Sequence, residues 1–159
     1  MRHRFAWRTL AGMTRFRLAD FLPYQLSVAS NAVSRAVATG TGYESRFGLT
    51  AAEWRVLAAV TAAGQPSQVE LGEATGMDKM TISRAVAGLS TRRLIDRVRD
   101  TGDRRTLRLS PTAEGRRIHD IVAPQALEVE KRLLATLSPG EAEALRTALA
   151  HLLQACAKP

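Results

Sequence analysis

The chain has 159 residues, 45 percent apolar but only 5 percent aromatic, so one domain of ordinary size can bury a core made mostly of Leu, Val, Ile and Ala. A net charge of +8 and a pI near 10.9 point to a polyanionic partner. A single cysteine, Cys156, excludes an internal disulfide framework and a cysteine-based metal cluster, no apolar run approaches the ~20 residues of a membrane span, and a reducing cytoplasm is the expected compartment.

Residues 1–17 hold five Arg and no acid, with Phe5, Trp7, Leu10, Met13 and Phe16 between them. Such a segment reads as a basic arm, as an extra amphipathic helix or as a membrane-surface helix, and we carry forward the arm or extra helix, over 1–18. Asp20 and Pro23 mark a helix start, after which Leu22, Leu26, Ala29, Val33 and Val37 recur at helical spacing until Gly40 and Gly42. Thr41 to Gly48 is a connector anchored by Tyr43 and Phe47.

Thr50 and Glu53 form a capping box, each satisfying the other's free backbone amide. The helix it opens carries Trp54, Leu57, Ala58 and Val60 and stops at Gly64 and Pro66. Ser67 and Glu70 form a second box, in front of a short helix with Val69, Leu71 and Ala74 as apolar contacts. Gly72 is expected to let another helix approach, and Gly76 to make the turn. Asp78 then caps a helix whose stripe is Ile82, Val86 and Leu89. Met80, Arg84 and Ala87 fall on the opposite face, flanked by Thr81 and Ser83, and no acid occurs between Asp78 and Asp96. An ordinary solvent face would carry Glu and Lys. This one suits a major groove, where Arg reads guanine and Ser, Thr and Met reach base edges or thymine methyls.

Leu94 to Asp100 and Thr106 to Ser110 alternate like two strands, joined through Gly102. Ile95 with Val98, and Leu107 with Leu109, supply apolar contacts. Residues 79–108 hold nine Lys or Arg against three Asp, the charge concentration of a phosphate-binding surface. Arg104 or Arg105 at the tip can enter a narrow minor groove; the bland alternative is a solvated turn with an Asp103–Arg105 pair. Helix, turn, helix and hairpin in this order make a winged helix-turn-helix over 49–111.

Thr112 caps a long helix reaching about Thr136, kinked at Pro124, and Ser138 with Glu141 opens another. Its stripe is Leu145, Leu149, Leu152 and Cys156, with Leu153 beside it. Residues 112–159 hold six basic and six acidic residues, so a neutral, Leu-striped end follows a basic middle. The expectation is that 19–48 and 112–159 interleave with a second copy, placing two recognition helices about 34 Å apart.

Glu70-Leu-Gly-Glu-Ala-Thr-Gly76, Met77-Asp-Lys-Met-Thr-Ile-Ser-Arg-Ala-Val86, Arg93-Leu-Ile95 and Asp103-Arg-Arg105 followed by Thr112-Ala-Glu-Gly115 resemble the MarR family of winged-helix regulators. Phe47-Gly-Leu-Thr50 with Trp54-Arg-Val-Leu57 is similar to the approach to its first DNA-domain helix, and Phe21 to Val28 to its opening dimerisation helix. The chain departs from the family at Pro111, where an aliphatic residue is common and the last strand is expected to end early, and at Gly72, where Ala is usual. The resemblance implies a mainly α fold with a small β-hairpin wing and a homodimer on pseudo-palindromic double-stranded DNA, usually a repressor released by a small ligand or by oxidation. It assigns DNA contacts to Lys79, Met80, Thr81, Ser83, Arg84, Arg99, Arg104 and Arg105, and a wing salt bridge to Asp103 and Arg105. Family effectors are often phenolic or aromatic anions held between dimer helices and winged domain, which singles out Tyr24, Trp54 and Arg55.

No catalytic, metal-binding or cofactor constellation is present. His3, His119 and His151 are scattered, adjacent His119 and Asp120 are expected to point apart on a helix, and the Gly-x-Gly at 40–42 lacks the rest of a nucleotide motif. The expectation is therefore a cytoplasmic regulator that is not an enzyme and has no membrane or cofactor. The alternatives are a winged-helix protein–protein adaptor and a redox sensor using Cys156. On its Leu stripe, Cys156 reads more simply as a buried apolar residue.

Overall fold

The computed structural model describes residues 16–99 and 107–157. A turn of 3-10 helix, Leu18–Asp20, precedes helix α1, Leu22–Thr41. Then follow α2 (Tyr43–Phe47), α3 (Ala51–Ala63), α4 (Gln68–Thr75), α5 (Lys79–Thr91), strands β1 (Ile95–Arg99) and β2 (Leu107–Pro111), α6 (Ala113–Leu134) and α7 (Pro139–Ala157). The fold is mainly helical with one two-stranded antiparallel sheet. The chain divides into two compact units between Val33 and Ser34, inside α1. The expectations for the basic arm before residue 16, and for Asp103, Arg104 and Arg105, lie outside the described residues.

Helix starts are set locally, because the first amides of a helix have no partner within it. Thr50 Oγ1 accepts from the Glu53 amide at 3.2 Å while Glu53 Oε2 accepts from the Thr50 amide at 2.8 Å. The same reciprocal pairing opens α4 at Ser67 and Glu70, and α7 at Ser138 and Glu141. Asp78 and Thr112 accept from the Thr81 and Gly115 amides, at 2.9 and 3.0 Å. The segment expected as a plain connector folds as α2, bounded by left-handed Gly42 and Gly48, with Tyr43 buried.

The core of the second unit gathers Val56, Leu57 and Val60 of α3, Leu71 of α4, and Ile82, Ala85, Val86 and Leu89 of α5. Leu94, Ile95 and Leu109 close it from the hairpin, and Ile118 and Val122 from α6. Val69 is 71% exposed, so the expected contact there is not made. Nor does a helix approach Gly72, where an added Cβ would meet only the Met77 carbonyl at 3.6 Å. The close approaches fall elsewhere. A Cβ at Gly88 would overlap the Glu53 carboxylate, and one at Gly115 would overlap the Leu94 carbonyl oxygen.

The hairpin register pairs Ile95 with Pro111, Arg97 with Leu109 and Arg99 with Leu107. Side chains alternate along a strand, so Ile95 and Val98, three apart, cannot share a face. Ile95 is buried and Val98 exposed, against the expectation that they pack together. Pro111 remains within β2, so the strand does not end early. The long helix expected after Thr112 forms as α6, with Pro124 inside it.

Gly115 separates two opposing effects. In an open helix Gly→Ala stabilises by about 1 kcal/mol, yet here the new methyl meets backbone that cannot swing aside. We expect Gly115→Ala to destabilise by about 1–3 kcal/mol in urea unfolding, and Gly140→Ala, whose Cβ meets nothing within 4 Å, to be neutral or stabilising. Equal midpoints for the two variants would contradict the packing.

Candidate nucleic-acid interface

Burial of Ile82, Ala85, Val86 and Leu89 leaves Lys79, Met80, Ser83, Arg84 and Ala87 on the outer face of α5, with Met80 61% exposed. The side chains of Lys79 and Arg84 make no hydrogen bond or ion pair among the described residues. Arg84 borders a shallow groove of about 290 Å³ with Thr50, Ala52, Glu53, Thr81 and Ala85. Thr81 is half-buried and donates its hydroxyl to Asp78 Oδ2 at 2.6 Å. Its single proton is thus committed to the cap, leaving only acceptor capacity outward. The Thr81 hydroxyl and then its amide hold the Asp78 carboxyl below the usual carboxylate range.

The far end of α5 is fixed by a residue that the sequence reading passed over. Arg92 donates to the carbonyls of Phe47 and Gly48 and lies 3.8 Å from Glu53 Oε2. Glu53 Oε1 occupies the space left by Gly88 on α5. The wing is fixed as well: Arg97 Nε donates to Ser90 Oγ at 3.2 Å, and Arg108 pairs with Glu70 at 2.7 Å. Arg99 is exposed at the distal end of β1. The partners of Arg92 and Arg108 are remote in sequence, which is why spacing alone does not reveal them.

The residues expected at an effector site are arranged less simply than an aromatic wall beside a cation. Tyr24 is exposed in the first unit. In the second, the Trp54 ring stacks with Tyr43 at 5.9 Å and with His119 at 5.9 Å. Arg55 donates to Ser34 Oγ at 2.7 Å. Burial pushes the Tyr43 phenol up, against the opposing pull of the Arg55 cation. His119 Nδ1 lies 3.1 Å from Asp120 Oδ1, so these neighbours meet rather than diverge. Cys156 is exposed in this chain rather than buried, on the same face of α7 as the exposed Leu145, Leu149 and Leu152. Among the described residues no helix is long and apolar enough to cross a membrane, and no three His, Cys, Asp or Glu cluster as metal ligands.

A two-helix motif whose capped second helix keeps a polar outer face, followed in the chain by a two-stranded hairpin, defines a winged helix-turn-helix protein. The profile of the MarR family matches residues 47–106. The repressor NicR of Pseudomonas putida is 33% identical over 106 residues, covering 67% of this chain and 65% of NicR, so the chain matches just under two thirds of that relative. A probable transcriptional regulator from Pseudomonas aeruginosa is 35% identical over 86% of this chain and 99% of its own, with a TM-score of 0.73. BpsR of Bordetella bronchiseptica, whose DNA binding is regulated by 6-hydroxynicotinic acid, is 26% identical over 91% and 98%, with a TM-score of 0.73. The chain belongs to the MarR family.

The helix caps give the fold a defined acid response. Asp78, Glu70, Glu114 and Glu141 all titrate below their ordinary values, held by hydrogen bonds from Thr81, Ser67, Arg117 and Ser138 respectively. A depressed folded pKa gives stability that is fully present above the unfolded value, near 4, and is lost as pH falls through the folded one. The urea midpoint is therefore expected to stay level over about pH 5–8 and to fall below about pH 4. Asp78→Asn, which keeps an oxygen acceptor without the titration, should make that fall shallower. An equally steep fall in Asp78→Asn would contradict the assignment.

Proposed function

We propose that the chain is a sequence-specific DNA-binding transcriptional regulator, a homodimer that represses by occupying a pseudo-palindromic operator and is released by a small aromatic acid. The observation that carries this reading is the outer face of α5, where Lys79 and Arg84 stand exposed and unpaired among the described residues beside Met80 and Ser83. In this reading Arg84 forks onto a guanine while Ser83, Thr81 and Met80 reach neighbouring base edges. Lys79 and Arg99 neutralise phosphates, and Arg104 and Arg105 probe the minor groove with Asp103 paired to Arg105. Residues 49–111 form the DNA-binding part.

Dimerisation through 19–48 and 112–159 is supported by apolar side chains left exposed in the single chain. Leu22, Val28 and Val33 of α1 and Leu145, Leu149 and Leu153 of α7 each show 40% or more of their surface. Stripes of that kind on a monomer mark an association surface. NicR supports repression. The regulation of BpsR by 6-hydroxynicotinic acid supports an aromatic carboxylate as effector. Within the second unit Arg55 would meet its charge and Trp54 its ring. Such a function needs no catalytic step and places the protein with the chromosome in the cytoplasm.

The test is selection of duplexes from random-sequence DNA by the full chain, which should enrich a two-fold symmetric site with half-sites about 10 base pairs apart. Against that site Arg84→Ala should cost about 1–3 kcal/mol and relax base preference at one position per half-site. Failure to enrich any sequence contradicts the function, and an unchanged preference profile in Arg84→Ala contradicts the assignment of that residue.

A further inference from the structure

One carboxylate serves both α4 and the wing. Glu70 Oε2 accepts from the Ser67 amide at 2.6 Å, closing the α4 cap, and from Arg108 Nη1 at 2.7 Å. Arg108 Nη1 also reaches the Gln65 carbonyl oxygen at 3.4 Å, and the next amide along, that of Leu109, donates to the Pro66 carbonyl at 3.0 Å. Strand β2 is thus tied along one edge to β1 and along the other to the turn entering α4. A carboxylate already engaged in a helix cap has little freedom. The guanidinium bonded to it is therefore held too, and with it the direction in which the hairpin projects.

The charge pattern supports the same role. Arg108 belongs to the basic run of 79–108 and by charge alone would count as a phosphate contact. Unlike Lys79, Arg84 and Arg99, it has its charge matched among the described residues. To meet a phosphate it would have to leave a short, charge-assisted bond. We infer that Glu70 and Arg108 form a latch that sets the aim of the wing relative to α5, and that both are positioning residues for DNA recognition rather than DNA contacts. This rests on the DNA-binding reading above.

Glu70→Gln isolates the ion pair, because Gln retains an oxygen for the Ser67 amide and so keeps the cap. In the free full-length protein, amide hydrogen exchange at Leu109 should quicken roughly tenfold in this variant while α5 amides keep their protection. On a duplex selected by the wild type, Glu70→Gln should bind roughly tenfold more weakly, both half-sites losing a modest ion pair. It should do so with an unchanged salt slope, although the substitution adds positive charge. Arg108→Gln should match it, and the double variant should lose no more than either single one. Tighter binding with a steeper slope in Glu70→Gln, or a slope reduced by about 0.9 per subunit in Arg108→Gln, would make Arg108 a phosphate contact and overturn the latch. Unaltered Leu109 exchange overturns it without reference to DNA. A wild type that retains no duplex overturns the DNA-binding reading instead, and the exchange measurement tells the two failures apart.

Discussion

The side of α5 that the core takes decides what the protein shows to its surroundings. Ile82, Ala85, Val86 and Leu89 are all buried. Full burial of an aliphatic side chain such as Ile, Val or Leu is worth about 1.5–3 kcal/mol. Turning the helix by one residue, about 100°, would expose this stripe and press Arg84 toward the core without a partner. The phase of the helix is therefore fixed by hydrophobic burial, and its polar face is what remains. Asp78 fixes the start of α5, and Arg92, bonded to the Phe47 and Gly48 carbonyls, fixes its end.

Around this helix, two capping glutamates each do more than close a cap. Glu53 closes the α3 cap, faces Arg92 and fills the notch at Gly88. Glu70 closes the α4 cap and holds Arg108. Helix starts and tertiary contacts are thereby joined through single side chains, so the local rule that begins a helix also sets where its neighbour lies. Consecutive residues of α3 face different partners: Glu53 meets α5, Trp54 enters the stack with Tyr43 and His119, and Arg55 reaches Ser34.

What could be read from the sequence is what depends on near neighbours. The capping boxes at Thr50, Ser67 and Ser138 and the caps at Asp78 and Thr112 act over three residues, and all form. The α5 stripe follows from helical rotation alone. What was not legible depends on distant packing. Nothing near Gly88 or Gly115 in sequence announces the Glu53 carboxylate or the Leu94 carbonyl. Val98 looks like a partner for Ile95 until the strand register turns it outward. Arg92 and Arg108 read as more positive charge, whereas the fold gives each a carboxylate. The Trp54 stack joins α2, α3 and α6, and no periodicity connects them.

The most direct measurement follows the backbone amide signals of the full chain while a duplex it has selected is added. If the outer face of α5 enters the groove, the largest changes fall on Lys79, Met80, Ser83 and Arg84 and extend to Arg99, while Ile118 and Val122 in the core stay still. Changes confined to α7, or spread evenly along the chain with α5 no different from the rest, would contradict it.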